Sequence, residues 1–94
     1  MFYNCKKLEE FIFSSEDTNY FYINDMQSMF YNCISLTNIN LKLIRTDNPI
    51  NISRLFYNCN KLSTISGDFS NFFISDAREM FYNCNSLKYY ENNY

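Results

Sequence analysis

The chain has 94 residues and a net charge of −2, from 8 basic and 10 acidic side chains, which is enough material for one small domain. A composition that is 47% hydrophobic and 20% aromatic argues against intrinsic disorder, and the slight acidic excess excludes the basic patch of a nucleic-acid-binding protein. The sequence has no apolar run near the ~18 residues of a membrane span, and its first residues, 1–7, lack the pattern of a signal peptide.

A five-residue block occurs four times along the chain. The four copies are block 1 (Met1–Cys5), block 2 (Met29–Cys33), block 3 (Leu55–Cys59) and block 4 (Met80–Cys84), and their starts are 28, 26 and 25 residues apart. The third residue after each cysteine is a leucine, at positions 8, 36, 62 and 87. Such a period is typical of arrays whose units bury their apolar faces against their neighbours. We therefore predict one repeat array over 1–94, with units of about 1–28, 29–54, 55–79 and 80–94.

The residues that follow each block predict a short strand. In the second unit, Ile39 and Leu41 alternate with Asn38 and Asn40, which is the period of a half-buried strand. The other units have related spacings. We expect four parallel strands, near 8–13, 36–41, 62–67 and 87–91.

The residues that precede each block have a different period. Apolar residues such as Ile23, Met26 and Phe30 fall at spacings of three and four, as on one face of a helix, and Asp25 and Asp76 suit a helix start. Helices are therefore predicted near 24–32, 51–58 and 75–83. The predicted fold is an α/β solenoid, a leucine-rich-repeat-like right-handed coil with a short parallel sheet on one face and short helices on the other.

The order of phenylalanine, cysteine, leucine and two later apolar residues resembles the repeat of BspA-like leucine-rich repeat surface proteins. The resemblance is clearest over 23–36 and 74–87. It implies a non-catalytic protein, at the cell surface or secreted, that binds host or matrix proteins or other cells. Neither a signal peptide nor a surface anchor is predicted within residues 1–94, so the compartment is left open. A fragment of a longer array fits the pattern as well as a small free-standing relative.

The four cysteines allow three interpretations. Zinc ligands usually come as close pairs, and the sequence has no such pair and no histidine. Thiols in a row about 5 Å apart lie within the span of a disulfide. A ladder of small buried thiols is favoured over a disulfide, and a metal site is favoured least. A cysteine nucleophile would lack a histidine base, so neither a cofactor nor an enzymatic activity is expected.

The aromatic residues of the blocks divide into two rows. The phenylalanines are predicted to be core, and the tyrosines one position later are predicted to form a half-exposed row of structural spacers, although a stacking platform for bases or sugars is the alternative. The residues expected to be most buried are Met29, Phe30, Cys33, Leu36, Ile39, Leu41, Phe56, Leu62 and Ile65. The sequence Asn51-Ile52-Ser53 is a glycosylation sequon, but a capping role for Asn51 is favoured.

Strand alternation sends a second set of residues outward. This predicted concave binding face consists of Glu10, Ile12, Asn38, Asn40, Thr64, Ser66, Tyr89 and Glu91. Its polar character suits a broad contact with a protein or glycan better than a small-molecule pocket. The sequence therefore predicts a protein-binding or adhesion module that binds no nucleic acid. The alternatives are a structural repeat protein that stacks end to end, and a fragment with no independent function.

Overall fold

The computed structural model describes residues 2–11, 20–67, 69–70 and 72–87. These residues form short strands of two or three residues and no α-helix. The strands are β1 (Glu10–Phe11), β2 (Phe21–Tyr22), β3 (Asn38–Asn40), β4 (Ile44–Arg45), β5 (Ile50–Asn51), β6 (Thr64–Ser66) and β7 (Ile74–Asp76).

The strands pair in three small sheets, and every pairing is parallel. One sheet has the order β1-β3-β6, a second pairs β2 with β4, and a third pairs β5 with β7. The parallel strands predicted near 8–13, 36–41 and 62–67 are confirmed as β1, β3 and β6, although each is shorter than expected. The fourth predicted strand, 87–91, lies outside the described residues except for Leu87.

The three predicted helices are wrong, and with them the α/β solenoid. The described residues contain only short parallel strands in small sheets. Where a helix was expected, the chain forms a series of turns, because backbone N–H groups donate to carbonyls three residues earlier. Met29 N donates to Met26 O at 3.2 Å and Tyr31 N donates to Ser28 O at 3.1 Å. An α-helix would instead bond each N–H to the carbonyl four residues earlier.

The remaining N–H groups of these turns bond to the next repeat. Ser28 N, Phe30 N and Asn32 N donate at 3.1, 3.0 and 2.8 Å, respectively. The acceptors are the carbonyls of Ser53, Leu55 and Tyr57. Consecutive N–H groups therefore alternate between a local bond and a bond to the next repeat, which no α-helix allows.

Backbone angles give the second reason why these segments are not helical. Ser28, which precedes block 2, and Asn32 within it have φ values of 55° and 60°. At the equivalent positions of the later repeats, φ is 55° for Arg54, 65° for Asn58, 55° for Glu79 and 61° for Asn83. A left-handed residue interrupts a right-handed helix. The apolar residues spaced by three and four along the sequence therefore reach the core from these turns and not from one face of a helix.

The expected helix caps are turn caps in the structure. Asp25 Oδ1 accepts from Gln27 N at 3.0 Å, and Asp76 Oδ1 accepts from Arg78 N at 3.0 Å. Asn51 Oδ1 accepts in the same way from Ser53 N at 2.8 Å. A carboxylate or amide that bonds the backbone two residues later stabilises a turn, so Asn51 caps a turn and the predicted helix cap is wrong.

The core lies between the sheets and the turns. Its fully buried side chains include those of Met26, Phe30, Leu36, Ile39, Leu41, Ile44, Ile50, Ile52, Leu55, Phe56, Leu62 and Met80. The predicted core is confirmed except for Ile65, which is only half-buried. Ile65 lies in β6, the outer strand of the described part of its sheet, so no further described strand covers it.

Candidate functional site

The predicted binding face is a polar face on the three-stranded sheet. Glu10, Asn38 and Thr64 occupy paired positions on β1, β3 and β6, and Asn40 pairs with Ser66. Glu10 and Thr64 are exposed, whereas the three other residues are half-buried. We call these five residues the polar face. Ile12, Tyr89 and Glu91, the other predicted members, lie outside the described residues.

Side chains of the polar face are held by neighbouring groups. Asn38 Nδ2 donates to Thr37 Oγ1 at 3.3 Å, and Asn40 Oδ1 accepts from Lys42 N at 2.9 Å. Thr37 Oγ1 in turn donates to Glu9 O on the adjacent repeat at 3.1 Å. These bonds restrict the side-chain rotamers of Asn38 and Asn40.

The tyrosines of the four blocks form a continuous stack. The ring centroids of Tyr3, Tyr31, Tyr57 and Tyr82 are 4.7, 4.6 and 4.7 Å apart, with interplanar angles of 6°, 7° and 13°. The predicted row is confirmed. Because neighbouring rings cover both faces of Tyr31 and Tyr57, these two rings cannot stack on a base or a sugar, and the platform interpretation fails for them.

The phenylalanines form a parallel stack inside the molecule. Successive centroids from Phe2 through Phe30 and Phe56 to Phe81 are 5.5, 5.7 and 5.7 Å apart, with interplanar angles of 7°, 11° and 5°. Phe30 and Phe56 have no exposed surface, whereas Phe2 and Phe81 are half-buried. The core assignment is therefore complete for the two inner rings and partial for the two outer ones.

The thiols donate hydrogen bonds from one repeat to the preceding one. Cys33 Sγ donates to Phe2 O at 3.1 Å, and Cys59 Sγ donates to Phe30 O at 3.0 Å. Cys84 Sγ donates to the carbonyl of Phe56 at 3.1 Å. All four cysteines are free, and Cys33 and Cys59 are buried. The predicted ladder of buried thiols is thus confirmed for the inner two blocks.

Burial keeps these thiols protonated. It raises the pKa of Cys33 and of Cys84 from 9.0 to about 11, and it raises the pKa of Cys59 further still. The thiolate is the form that attacks electrophiles and binds metals. In the part of the chain that the structure describes, no group of three or more histidine, cysteine, aspartate or glutamate residues could hold a metal ion.

Asparagine side chains form a ladder that the sequence did not predict. Asn58 Nδ2 donates to Asn32 Oδ1 at 2.8 Å, and Asn83 Nδ2 donates to Asn58 Oδ1 at 3.2 Å. The identical position in each block was the available signal, because equivalent side chains of parallel repeats lie side by side.

A small cavity of about 200 Å³ lies beside the turns of the later repeats. It is lined by Gln27, Ser53, Arg54, Arg78 and Glu79. Both guanidinium groups are already paired, Arg54 with Glu79 at 3.1 Å and Arg78 with Asp76 at 2.8 Å. The hydrogen bonds from Arg78 hold the pKa of Asp76 below its usual range. The cavity is smaller than the ~300 Å³ at which ligand pockets begin.

Comparison with known proteins gives a family without a known activity. The family model described as "Mycoplasma protein of unknown function, DUF285" matches residues 1–94. No curated protein and no solved structure matches the chain. Among the residues that the structure describes, no helix is long and apolar enough to cross a membrane.

Proposed function

This chain belongs to the DUF285 family, and we propose from its geometry that it is a non-catalytic protein-binding module whose contact surface is the polar face. The observation that carries the proposal is the register of the three-stranded sheet. It places Glu10, Asn38 and Thr64 side by side while Ile39, on the same strand as Asn38, is buried. A polar row on a buried apolar support suits contact with another macromolecule.

The chemistry of the polar face favours a protein partner that supplies hydrogen bonds. Four of its five residues carry an amide or a hydroxyl group, and the fifth, Glu10, adds a negative charge. The resemblance of the repeat to BspA-like surface proteins supports a partner on a cell surface or in a matrix, and a role in adhesion.

The size of the polar face indicates weak binding by one copy. Parallel strands lie ~4.8 Å apart, so the three described strands span only about 10 Å. A standard interface buries about 800 Å² on each partner. We therefore expect measurable affinity only when two copies are joined, because the second contact then forms at a high effective concentration.

The test compares a tandem of two copies with one copy on a panel of purified matrix proteins. Asn38→Lys combined with Thr64→Lys should remove binding by the tandem without unfolding it, because Thr64 is exposed and Asn38 is half-buried. The matched control is Asn24→Lys with Ser75→Lys, two exposed positions away from the polar face. Binding that survives the first pair, or is lost equally with the control pair, would contradict the proposal.

A further inference from the structure

We propose that Arg45, on β4, binds a carboxylate group of a protein partner, supplied by an aspartate or glutamate side chain. This inference does not depend on the polar face or on its function. It begins from a comparison of the three arginines of the chain. Arg54 lies 3.1 Å from Glu79, with which it forms an ion pair. Arg78 lies 2.8 Å from Asp76 and forms another. Arg45 forms no ion pair within the part of the chain that the structure describes.

The guanidinium group of Arg45 is held in place by its surroundings. Its Nη1 atom donates to the carbonyls of Lys42 and Ile44 at 3.1 and 3.0 Å, respectively. The ring of Tyr20 covers one face of the guanidinium plane, with 3.8 Å between Cζ and the ring centroid. The contact of a guanidinium cation with the face of an aromatic ring is attractive. Three contacts therefore fix the orientation of this side chain.

The same contacts leave one edge of the guanidinium group available to a ligand. Neither Nε nor Nη2 of Arg45 donates a hydrogen bond to any of the described residues. These two groups form a planar fork, and a carboxylate accepts from both at once. Arg78 provides the template, because its Nε and Nη2 donate to Asp76 Oδ2 at 3.1 and 2.8 Å. Arg45 has the same pair of donors without the internal acceptor.

The surroundings of Arg45 include a neighbouring repeat on each side. On one side, β4 pairs with β2, and Tyr22 lies opposite Arg45 in the register. On the other side, Phe73 N donates to Thr46 Oγ1 at 2.7 Å. The half-buried state of Arg45 is therefore set with both neighbouring repeats in place, and the available edge of its guanidinium group is a property of an inner repeat.

The charges and residue types around Arg45 favour an acidic protein partner. The segment 42–47 carries two positive side chains, Lys42 and Arg45, and one negative side chain, Asp47. The segment is thus locally positive in a chain whose net charge is −2. Arginine and tyrosine are among the residue types that contribute most to binding at protein interfaces. The contact of Arg45 with Tyr20 therefore favours a protein over a glycan that carries carboxylates.

Nuclear magnetic resonance of the unmodified chain tests this site through the arginine Nε–H groups. The probe is a short peptide of glutamate and leucine at about pH 6, where glutamate is ionised, and the control peptide has glutamine in place of glutamate. The Nε–H signal of Arg45, identified by its absence in Arg45→Lys, should shift only with the glutamate peptide. The signals of Arg54 and Arg78 should not move, because both Nε–H groups already donate to carboxylates.

Two lysine variants separate the paired donors from positive charge alone. Arg45→Lys retains the charge but loses the fork, so the Kd for the glutamate peptide, measured from backbone amide shifts, should rise roughly tenfold or more. Arg78→Lys is the matched control, since the Arg78 side chain is 85% exposed, and it should bind like the unmodified chain. Tyr20→Ser removes the ring that supports Arg45 and should weaken binding by a smaller factor.

Far-ultraviolet circular dichroism and a melting curve establish that each variant is folded before its Kd is measured. If Arg45→Lys does not fold, Arg45→Gln takes its place, and the titration of the unmodified chain stands without either variant. An Arg45 signal that ignores the glutamate peptide, or shifts equally with both peptides, would overturn the proposal. So would a Kd that Arg45→Lys leaves unchanged. A shift with polygalacturonate but not with the peptide would overturn the assignment to a protein partner.

Discussion

The blocks and the strands that follow them are constrained to different degrees. Four residues of each block are identical in all four copies, and their side chains make the same stacking and hydrogen-bonding contacts from repeat to repeat. The outward strand positions carry Glu10, Asn38 and Thr64, three different residue types in one register. The blocks therefore set the spacing of the repeats, while the strand surface is free to vary.

The largest loss of stability is expected from a substitution in an inner block. Phe56→Ala removes a fully buried ring that stacks on Phe30 and Phe81 at 5.7 Å each, and it should lower the free energy of unfolding by about 3–5 kcal/mol. Phe2→Ala, in a half-buried outer position, should lower it by less. Chemical denaturation measures both values. Thr64→Ala on the polar face serves as the control, and an equal loss from Thr64→Ala and Phe56→Ala would contradict the comparison.

Replacement of Asn58 in the asparagine ladder should lower the free energy of unfolding by a smaller amount. Two causes contribute and can be separated: the loss of side-chain hydrogen bonds and the strain of the backbone angle. Asn58 has a φ of 65° and donates to Asn32. Asn58→Gly retains the backbone angle but removes the hydrogen bonds of the ladder. Each lost bond should lower the free energy of unfolding by about 0.5–1.5 kcal/mol. Asn58→Ala should lose a further ~1–2 kcal/mol, because an alanine is strained in the left-handed region. Urea denaturation of both variants tests this difference, and exposed Asn60→Ala is the control. If Asn58→Gly and Asn58→Ala lowered the free energy of unfolding equally, the left-handed backbone angle would make no contribution.

The buried thiols predict a dependence of stability on pH. Because the folded state raises the pKa of Cys33 from 9.0 to about 11, the unfolded state loses its proton first. The stabilisation is therefore complete below pH 9 and is lost as the pH rises toward 11. Cys33→Ser has no group that titrates there, so its free energy of unfolding should fall less steeply between pH 8.5 and 10.5. Parallel slopes for the two proteins would be the contrary result.

The smallest effect should come from a surface ion pair beside the blocks. Arg54 and Glu79 lie 3.1 Å apart, but their side chains are 54% and 44% exposed. Exposed pairs contribute about 0–1 kcal/mol, so Arg54→Ala should change the melting temperature little. Added salt should reduce even that change. A loss as large as that of Asn58→Ala would show that Arg54 supports the block itself.

The sequence repeat was sufficient to predict the parallel strands and both aromatic rows. Identical spacing from block to strand fixes the register, so the pairing of Asn38 with Thr64 follows once β3 and β6 are parallel. The hydrogen bonds of the asparagine ladder could not be predicted from the sequence of one repeat. Each bond joins two repeats, so it can be recognised only when both repeats have been placed side by side. The strands β2 and β4 were missed because they lie in stretches that differ between repeats, whereas β5 and β7 overlap the segments near 51–58 and 75–83 that were predicted to be helical.

The helices were predicted wrongly because two structures share one apolar spacing. A helix and a series of turns can both bring Met26, Met29 and Phe30 to the core. The distinction lies in the left-handed angles of Ser28, Arg54 and Glu79, and none of these residue types marks such an angle as glycine or asparagine does. Their conformation is imposed by bonds to the neighbouring repeat.

The alternation of N–H groups in the turns makes the length of the block a fixed quantity. A residue inserted between Ser28 and Asn32 would shift every later N–H by one position, so that local donors would point at the neighbouring repeat and the others would point inward. The block can therefore accept substitutions more readily than insertions or deletions. The unequal block spacings of 28, 26 and 25 residues agree with this, since the variation falls between each strand and the next turn. Evolution can lengthen this protein within its loops or by whole repeats, but not one residue at a time within a block.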